Sequence, residues 1–412
     1  MPSRGRESLV DKVDKMDRAD KMGNLDKVHK MGNLDEIERI ELAVVGGGPA
    51  GLAAAVKAAE LGLESIVLFE RDNFLGGQLV KQTHQFFGSK DQYAGTRGID
   101  IAEELTDKVR KEAAIEVKTG AVVQGYYEDA VIGYLEDERF QKVKPEKTII
   151  ATGAAEKMLS FPNNDLPGIY GAGAVQTLMN QYGILPGEEM LMIGAGNIGL
   201  IVTYQLLQAG VKVKAVVEAT DKIGGYAVHA TKIRRAGIPI LTKHTIKEAR
   251  GDSKVEEAVI CQLDENWNII PGTEEILEID TICLAVGLTP KIDLALQAGC
   301  QMAYVPELGG DVPVRDEDLE MTEENIYIAG DAGGIEEATA AILEGELAAI
   351  NAVRAISGGG SDLEAVYAEV SEKLADLRRG PVGEEIRSGL KKARGDENAG
   401  RDRYSRQRRY SK

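Results

Sequence analysis

One stretch of this sequence occurs twice, with the two copies 148 residues apart. In each copy the motif Gly-x-Gly-x-x-Gly lies between an apolar strand-like run and a helical run. The motif glycines are Gly46, Gly48 and Gly51 in the first copy and Gly194, Gly196 and Gly199 in the second. The same separation relates Glu70 to Glu218, and Gly76–Gly77 to Gly224–Gly225. A supersecondary unit repeated in register predicts two similar α/β domains.

Each glycine of the motif has a physical purpose. The first permits a tight turn, the second lets a pyrophosphate approach the backbone, and the third lets the helix pack closely on the strand. The helix that follows presents unsatisfied N–H groups and a positive dipole end to phosphates. The acid that ends the next strand, Glu70 or Glu218, can accept hydrogen bonds from an adenosine ribose. Each copy therefore predicts a dinucleotide site.

The second copy also indicates which nicotinamide nucleotide it takes. The carboxylate of Glu218 would repel a 2′-phosphate, and the next residues, Ala219 and Thr220, offer no arginine to bind one. This pattern predicts NAD(H) rather than NADP(H). A duplicated domain that has lost its ligand, or that holds an adenine nucleotide, is the alternative.

Composition excludes several classes of function. The 49 Lys and Arg residues against 67 Asp and Glu residues give a net charge of −18, which disfavours nucleic acid as a partner. No apolar run reaches the ~18 residues that a membrane-spanning helix needs, so no membrane insertion is predicted. The three cysteines, Cys261, Cys283 and Cys300, are far apart and provide no disulfide framework, which favours a reducing, cytoplasmic location.

Other segments show simpler patterns. Residues 1–38 repeat triplets with an apolar third residue, which keeps no apolar stripe on one helix face and predicts a low-complexity extension; a partner-bound helix is the alternative. Residues 257–263 and 278–285 are predicted as strands of a small sheet, and residues 336–355 as a helix. Residues 357–412 form a predicted helical segment with a basic tail, which is either solvated or docked on an acidic partner subunit.

Four short motifs complete a recognisable order along the chain. They are GGQL at 76–79, TIIATG at 148–153, VGLTP at 286–290 and IAGD at 328–331. Together with the two glycine motifs, this order resembles the flavoproteins with two dinucleotide-binding domains, especially low-molecular-weight thioredoxin reductases. Residues 78–89 (QLVKQTHQFFGS) and 329–345 (AGDAGGIEEATAAILEG) are similar to alpha subunits of heteromeric dehydrogenases and oxidases of sarcosine, proline or opines.

The resemblance implies an α/β fold with two doubly wound, Rossmann-like domains. Residues 39–155 and 286–356 would form a split FAD-binding domain, and residues 156–285 an inserted NAD-type domain. The implied cofactors are FAD in the first domain and NAD(H) in the second.

The resemblance also implies which residues bind these nucleotides. For FAD they are Gly46, Gly48, Pro49, Ala50, Gly51, Glu70, Arg71, Gly77, Gln78, Thr152, Gly153, Gly330, Asp331, Glu337, Ala338 and Thr339. For NAD(H) they are Gly194, Gly196, Asn197, Ile198, Gly199, Glu218 and Gly287. The helix that starts near Glu337 would direct its positive end at the flavin N1–O2 edge.

This chain lacks the cysteine pair of thioredoxin reductases, and its lone strand cysteines are predicted to be core residues. Electrons would therefore pass by hydride transfer with NAD(H), through a partner's cofactor, or through a soluble carrier. His84 is a candidate for proton handling near the flavin, with a purely structural histidine as the alternative. Lys81 would either place a charge near the ring or be solvated. The histidines show no metal-ligand spacing.

These observations predict a flavin-dependent oxidoreductase that exchanges a hydride with NAD(H), in the role of electron-transferring subunit of a multi-subunit amine or amino-acid dehydrogenase. A catalytic partner subunit or an electron carrier, and an oligomeric state, follow from that resemblance. One alternative is a thioredoxin reductase-like ferredoxin–NAD(P) reductase. Another is a non-catalytic scaffold or regulatory subunit that binds FAD and an adenine nucleotide.

Overall fold

The computed structural model describes residues 37–86 and 93–394. The predicted low-complexity extension lies outside these residues, except for Ile37 and Glu38, and so does the basic tail beyond Arg394. Glu38, the last residue of the predicted extension, lies in the first strand.

Nineteen strands are present in the described part of the chain. The first nine are β1 (Glu38–Val45), β2 (Ile66–Glu70), β3 (Ile115–Thr119), β4 (Val122–Tyr127), β5 (Val131–Glu136), β6 (Arg139–Ile150), β7 (Ala154–Glu156), β8 (Ile169–Gly171) and β9 (Glu189–Ile193). The others are β10 (Lys212–Glu218), β11 (Ile240–Thr242), β12 (His244–Arg250), β13 (Glu257–Gln262), β14 (Glu275–Glu278), β15 (Thr281–Leu284), β16 (Leu288–Pro290), β17 (Met302–Val305), β18 (Gly310–Pro313) and β19 (Ile326–Ile328).

Nine α-helices accompany the strands in the same described part. They are α1 (Pro49–Glu60), α2 (Gly98–Lys111), α3 (Ala172–Gln176), α4 (Asn197–Gln208), α5 (Ala227–Arg235), α6 (Asp293–Gln297), α7 (Ala338–Ser357), α8 (Ser361–Leu377) and α9 (Gly380–Ala393). The predicted helix over 336–355 is therefore α7, shifted by two residues.

The two glycine motifs lie in two separate sheets. The first sheet has the strand order β3-β2-β1-β6-β5-β4, with β19 paired to the end of β6, and we call this sheet with its helices the first domain. The second sheet, β11-β10-β9-β15-β8, is parallel throughout and forms the second domain with its helices. Because β19 returns to the first sheet after the second is complete, the second domain is inserted in the first. The predicted fold class is confirmed.

The prediction for residues 278–285 was wrong in one respect. Strand β13 lies in a small antiparallel sheet with β12 and β14, as predicted for residues 257–263. Strand β15, however, lies beside β9 in the parallel sheet of the second domain. All four of its residues are buried, as expected of a strand covered on both faces. A short apolar run does not reveal which sheet it joins.

The chain passes between the domains through two adjacent strands. On the way out it forms β7, and on the way back it forms β16, which pairs antiparallel with β7. Lys291 reinforces this crossing, because its backbone N–H donates to the Gly153 carbonyl oxygen at 2.9 Å and its own carbonyl oxygen accepts from Thr152 Oγ1 at 2.9 Å.

Helices α1 and α7 cross very closely in the first domain. An ideal Cβ on Gly345 of α7 would lie 2.1 Å from the backbone oxygen of Ala50 in α1. Both helices contribute to one apolar core with the sheet, and Leu52 and Ile350 are completely buried in it. Only a residue without a side chain allows the helices to approach this closely.

We therefore expect Gly345→Ala to lower the free energy of unfolding by about 2 kcal/mol or more, since the added methyl group meets backbone rather than a movable side chain. Denaturant titration measures this change. Ser357→Ala, at the exposed end of the same helix, is the matched control and should have little effect. Equal stability of both variants would contradict the close crossing.

Candidate nucleotide-binding sites

The outer glycines of both motifs are required by the packing of the protein itself. An ideal Cβ would lie 2.3 Å from the Ala151 oxygen at Gly46 and 1.8 Å from the Gly46 oxygen at Gly51. The second motif repeats this, with 2.3 Å at Gly194 and 2.1 Å at Gly199. Gly46 and Gly194 also have positive φ angles, 115° and 107°. These glycines thus hold the turn and the helix against the strand.

The middle glycines have no such explanation within the protein. An ideal Cβ on Gly196 would meet no atom within 4 Å, and on Gly48 it would meet only the Gly77 Cα at 3.9 Å. Each is the N-cap of its helix, and neither offers a side chain to bond the first-turn N–H groups. A nucleotide pyrophosphate on the backbone would account for both features, so these residues fit the predicted dinucleotides.

The other residues predicted at the two motifs follow the same pattern. Pro49 and Ala50 form the first turn of α1, and Asn197 and Ile198 form that of α4. Ala50 is buried, whereas Ile198 is exposed. The helix ends and the middle glycines therefore lie together in each domain.

The carboxylate of Glu70 is held by two loops of the first domain. Its Oε2 accepts from the Gly47 N–H and its Oε1 from the Asp72 N–H, both at 2.8 Å. Two carboxylate oxygens have about four acceptor positions, so capacity remains for ribose hydroxyls. The neighbouring Arg71 is exposed and lies 3.9 Å from an Asp72 oxygen.

Glu218 repeats this arrangement in the second domain. Its Oε2 accepts from the Ala195 N–H at 2.8 Å, and its Oε1 from the N–H and hydroxyl of Thr220 at 3.0 and 2.9 Å. Each acid is thus oriented by the glycine loop of its own motif. The two carboxylates occupy equivalent places, as the repeat predicts.

The Gly-Asp turn (Gly330–Asp331) and the segment at Gly77 both lie against the first glycine motif. Gly330, with φ 68°, would place an ideal Cβ 3.0 Å from Ala50 Cβ, and Gly77 would place one 2.7 Å from Gly48 Cα. Gln78, next to Gly77, is exposed. The structure therefore brings Gly77 and Gly330, which are distant in sequence, to the N-terminal end of α1.

Burial dominates the electrostatics of Asp331. It raises the pKa of this carboxyl to about 6, and the nearby carboxylates of Glu344 and Glu336 add to the rise, against the Glu336 N–H, which donates to Asp331 Oδ1 at 3.3 Å. Beyond this turn, α7 begins after its N-cap residue Glu337, followed by Ala338 and the buried Thr339. The N–H groups at this end of α7 have no side-chain cap.

Three predicted residues lie at the crossing between the domains. Thr152 and Gly153 bond to Lys291, and Gly153 has a positive φ of 70°. Gly287 accepts a hydrogen bond from the Lys157 N–H at 2.9 Å, two residues beyond Ala285, whose oxygen faces Gly194. Gly287 therefore belongs to the connecting strands rather than to the second glycine motif itself.

Lys81 and His84 lie where the two domains meet. Lys81 is half-buried and its Nζ donates to the Gly173 oxygen at 3.2 Å, so it is not a solvated lysine, and burial lowers its pKa. Burial, followed by the neighbouring His229, lowers the pKa of His84. The Nδ1 of His84 is buried without a hydrogen-bond partner among the described residues. The lowered pKa favours the neutral ring, and within the described part of the chain nothing accounts for the buried Nδ1.

A buried ion network beneath the Gly-Asp turn was not predicted from the sequence. Glu344 Oε1 accepts from Arg315 at 3.0 Å and from Arg378 at 2.6 Å, while its Oε2 accepts from the Gly330 N–H at 2.9 Å. Arg378 also binds Glu336 through two nitrogens. Burial alone would raise the pKa of Glu344, and the two guanidinium groups lower it below its usual value. The one signal in the sequence was an acid inside the apolar run of α7.

The three cysteines are buried and unpaired. Burial raises the pKa of all three thiols, that of Cys300 to about 11. Cys283 lies in β15, in the core of the second domain, and Cys261 is buried in β13 of the small antiparallel sheet. None of them is a reactive thiolate.

None of the helices that the structure describes is long and apolar enough to cross a membrane.

Comparison with known proteins identifies the family to which this chain belongs. The family described as pyridine nucleotide-disulphide oxidoreductase matches residues 40–345. An opine oxidase subunit of Agrobacterium tumefaciens (strain Ach5) is 29% identical over 330 residues, which are 76% of this chain and 65% of that protein. The alpha subunit of sarcosine oxidase from Rhizobium meliloti (strain 1021) is 27% identical over 65% of this chain and 26% of that protein. The chain spans less than two thirds of both relatives.

Solved structures share the fold. L-proline dehydrogenase from P. horikoshii aligns with a TM-score of 0.64 at 22% identity, over 84% of this chain and 61% of that one. T. acidophilum thioredoxin reductase aligns with a TM-score of 0.64 at 20% identity, over 78% of this chain and 99% of that one. These two structures confirm the fold that the resemblance implied.

The buried network predicts a large effect of Arg378→Leu. Removing one partner leaves Glu336 and Glu344 undercompensated in the interior, and this should cost about 3 kcal/mol of stability. Thermal and denaturant unfolding measure the loss. Arg379→Leu is the matched control, because Arg379 is next in sequence and its side chain is 74% exposed. A similar loss in both variants would contradict a specific role of the network.

The raised pKa of Asp331 predicts a pH-dependent stability in flavin-free protein. A carboxyl whose folded pKa of about 6 exceeds the ordinary 3.8 stabilises the fold below that ordinary value and loses this contribution as pH rises through 6. The Asp331→Asn side chain cannot ionise. The melting temperature of this variant, relative to that of the unmodified protein, should therefore rise as the pH increases from 3.8 to about 6. A constant difference across the range would contradict the raised pKa.

Proposed function

Because this chain belongs to the pyridine nucleotide-disulphide oxidoreductase family, we propose that it is a flavoprotein that binds FAD at the first glycine motif and exchanges a hydride with NAD(H) bound at the second. One observation carries this proposal. Both middle glycines, Gly48 and Gly196, stand at uncapped helix ends with room at the backbone that the packing of the protein does not use. FAD, when bound, supplies the hydride-accepting and hydride-donating ring.

The residues of the chain would then bind and orient. Glu70 and Glu218, each held by two loops, would fix the adenosine ends. Asp331 would offer its carboxyl at the end of α1, and the uncapped N-terminus of α7 would stabilise negative charge on a reduced ring. Catalysis would then consist mainly of positioning, because hydride transfer needs no protein nucleophile.

His84 is our candidate for proton handling near the flavin. Its neutral ring stacks on Phe86 with 6.0 Å between ring centroids, and its buried Nδ1 has no partner among the described residues. A neutral imidazole can take up a proton transiently as a general base, although burial, which lowers the pKa of His84, disfavours a resident proton.

We also propose that the chain passes electrons to a partner subunit. Its three thiols are buried and cannot serve as a redox pair, so the route used by thioredoxin reductases is closed to it. The relatives reported above are named as subunits, and this chain spans only part of their length. The role of electron-transferring subunit of an amine or amino-acid dehydrogenase or oxidase fits both facts.

The test is anaerobic stopped-flow mixing of the FAD-loaded protein with NADH and, separately, NADPH. Rapid bleaching of the flavin by NADH and slower bleaching by NADPH are expected. Glu218→Arg should reverse this preference, because it replaces the carboxylate that repels a 2′-phosphate with a cation that binds it. Glu257→Arg, an acid-to-arginine change in β13 of the small antiparallel sheet, is the control. Bound flavin that neither nucleotide bleaches would instead favour a scaffold role.

A further inference from the structure

Tyr226 occupies the place in the second domain that Gln78 occupies in the first. Both follow the glycine pair of the repeat, 148 residues apart. In each domain that pair lies against the middle glycine of its motif. An ideal Cβ on Gly77 would be 2.7 Å from Gly48 Cα, and one on Gly225 would be 2.9 Å from the Gly196 carbonyl carbon. The residue after the pair therefore lies close to the middle glycine, where the nucleotide is predicted to bind, in both domains.

The backbone at Tyr226 is fixed to the second glycine motif. Its N–H donates to Asn197 Oδ1 at 2.8 Å, and the N–H of Gly225 donates to the Ala195 oxygen at 2.9 Å. Asn197 is the first residue of α4. A change in the position of this motif is consequently transmitted to Tyr226.

The side chain of Tyr226 reaches the first domain. Its hydroxyl donates to Glu337 Oε1 at 2.8 Å, and Glu337 is the N-cap of α7, the helix whose free N–H groups lie beyond the Gly-Asp turn. The hydrogen bond to this carboxylate raises the pKa of Tyr226 to about 12. The hydroxyl hence keeps its proton at neutral pH and makes a charge-assisted hydrogen bond.

Three of the other polar contacts between the domains lie away from Tyr226. Gln205 donates to Thr83 Oγ1 at 2.9 Å, Lys81 donates to the Gly173 oxygen at 3.2 Å, and Asn180 donates to the Lys81 oxygen at 2.7 Å. None of these three contacts involves the loop that follows Glu218 or the start of α7. Tyr226 thus joins the loop beside the second glycine motif to the N-terminal end of α7, which is predicted to face the flavin.

We propose that Tyr226 is a positioning residue that sets the distance between the second nucleotide site and the flavin-facing end of α7. The inference rests on the proposed function for the identity of the two nucleotides. Because hydride transfer depends steeply on alignment, loss of this link should slow the transfer more than it weakens nucleotide binding.

The experiment uses the FAD-loaded full chain as unmodified protein, Tyr226→Phe and the control Tyr182→Phe, whose ring is 63% exposed in the same domain. Calorimetry measures NAD⁺ binding, visible absorbance records the change in the flavin spectrum that saturating NAD⁺ causes, and stopped-flow measures reduction by saturating NADH. Tyr226→Phe should bind NAD⁺ as the unmodified protein does. It should lose the spectral change and reduce about tenfold more slowly, as expected for loss of a hydrogen bond to a charged group.

The outcomes separate this inference from the proposed function. If NAD⁺ changes the flavin spectrum in unmodified protein but not in Tyr226→Phe, the positioning role stands even where NADH reduces neither. If NADH reduces both proteins at the same rate, the proposed function stands and the positioning role is overturned. An equal loss of NAD⁺ affinity and rate would likewise overturn it, since that is the signature of a merely structural residue.

A double-mutant comparison tests the link even if one of the variants loses its flavin. Tyr226→Phe, Glu337→Ala and the double variant are compared by flavin content and by thermal unfolding. If the two groups act through one hydrogen bond, the double variant should be no worse than the more affected single variant. Additive effects would overturn the proposed link.

Discussion

The buried carboxylate of Glu344 joins three elements of the first domain next to the predicted flavin site. A buried charge is stable only when it is paired, and Glu344 finds its partners on three separate elements: Arg315 before β19, Arg378 at the end of α8, and the backbone of Gly330. These contacts join the Gly-Asp turn, α7 and the C-terminal helices into one unit. They also explain Gly333, where an ideal Cβ would lie 1.7 Å from Arg315 Nη1.

The repeated motif uses the same residue type for two different purposes. The outer glycines are required by nearby backbone atoms of the protein, so their presence is explained with or without a ligand. The middle glycines are free of such contacts, so they carry the information about a ligand. In the first domain the backbone of Gly77 lies close to Gly48, and in the second domain the backbone of Gly225 lies close to Gly196. Each middle glycine therefore has a second backbone segment beside it.

Local features of the sequence predicted much of this molecule, and tertiary contacts account for the rest. Strand, glycine turn, helix and acid follow one another within about thirty residues, so the repeat and its Glu70 and Glu218 were readable. Strand β15 was assigned to the wrong sheet, because an apolar run of four residues carries no partner information. Arg315 and Arg378 lie 29 and 34 residues from Glu344, without any periodicity. Likewise, no pattern marks the link between Tyr226 and Glu337.

The pairing of β7 with β16 has a consequence for how such a chain is assembled. The inserted domain leaves and re-enters the first domain at neighbouring, hydrogen-bonded strands, so its two ends are already together. For the first domain the insertion is consequently equivalent to a short closed loop, whatever the length of the inserted domain. The folding of the inserted domain brings its own ends together and so offsets the entropy cost of closing that loop. In this sense the two paired strands form a stem, and the first sheet itself is continued by β19 after the chain has returned through it.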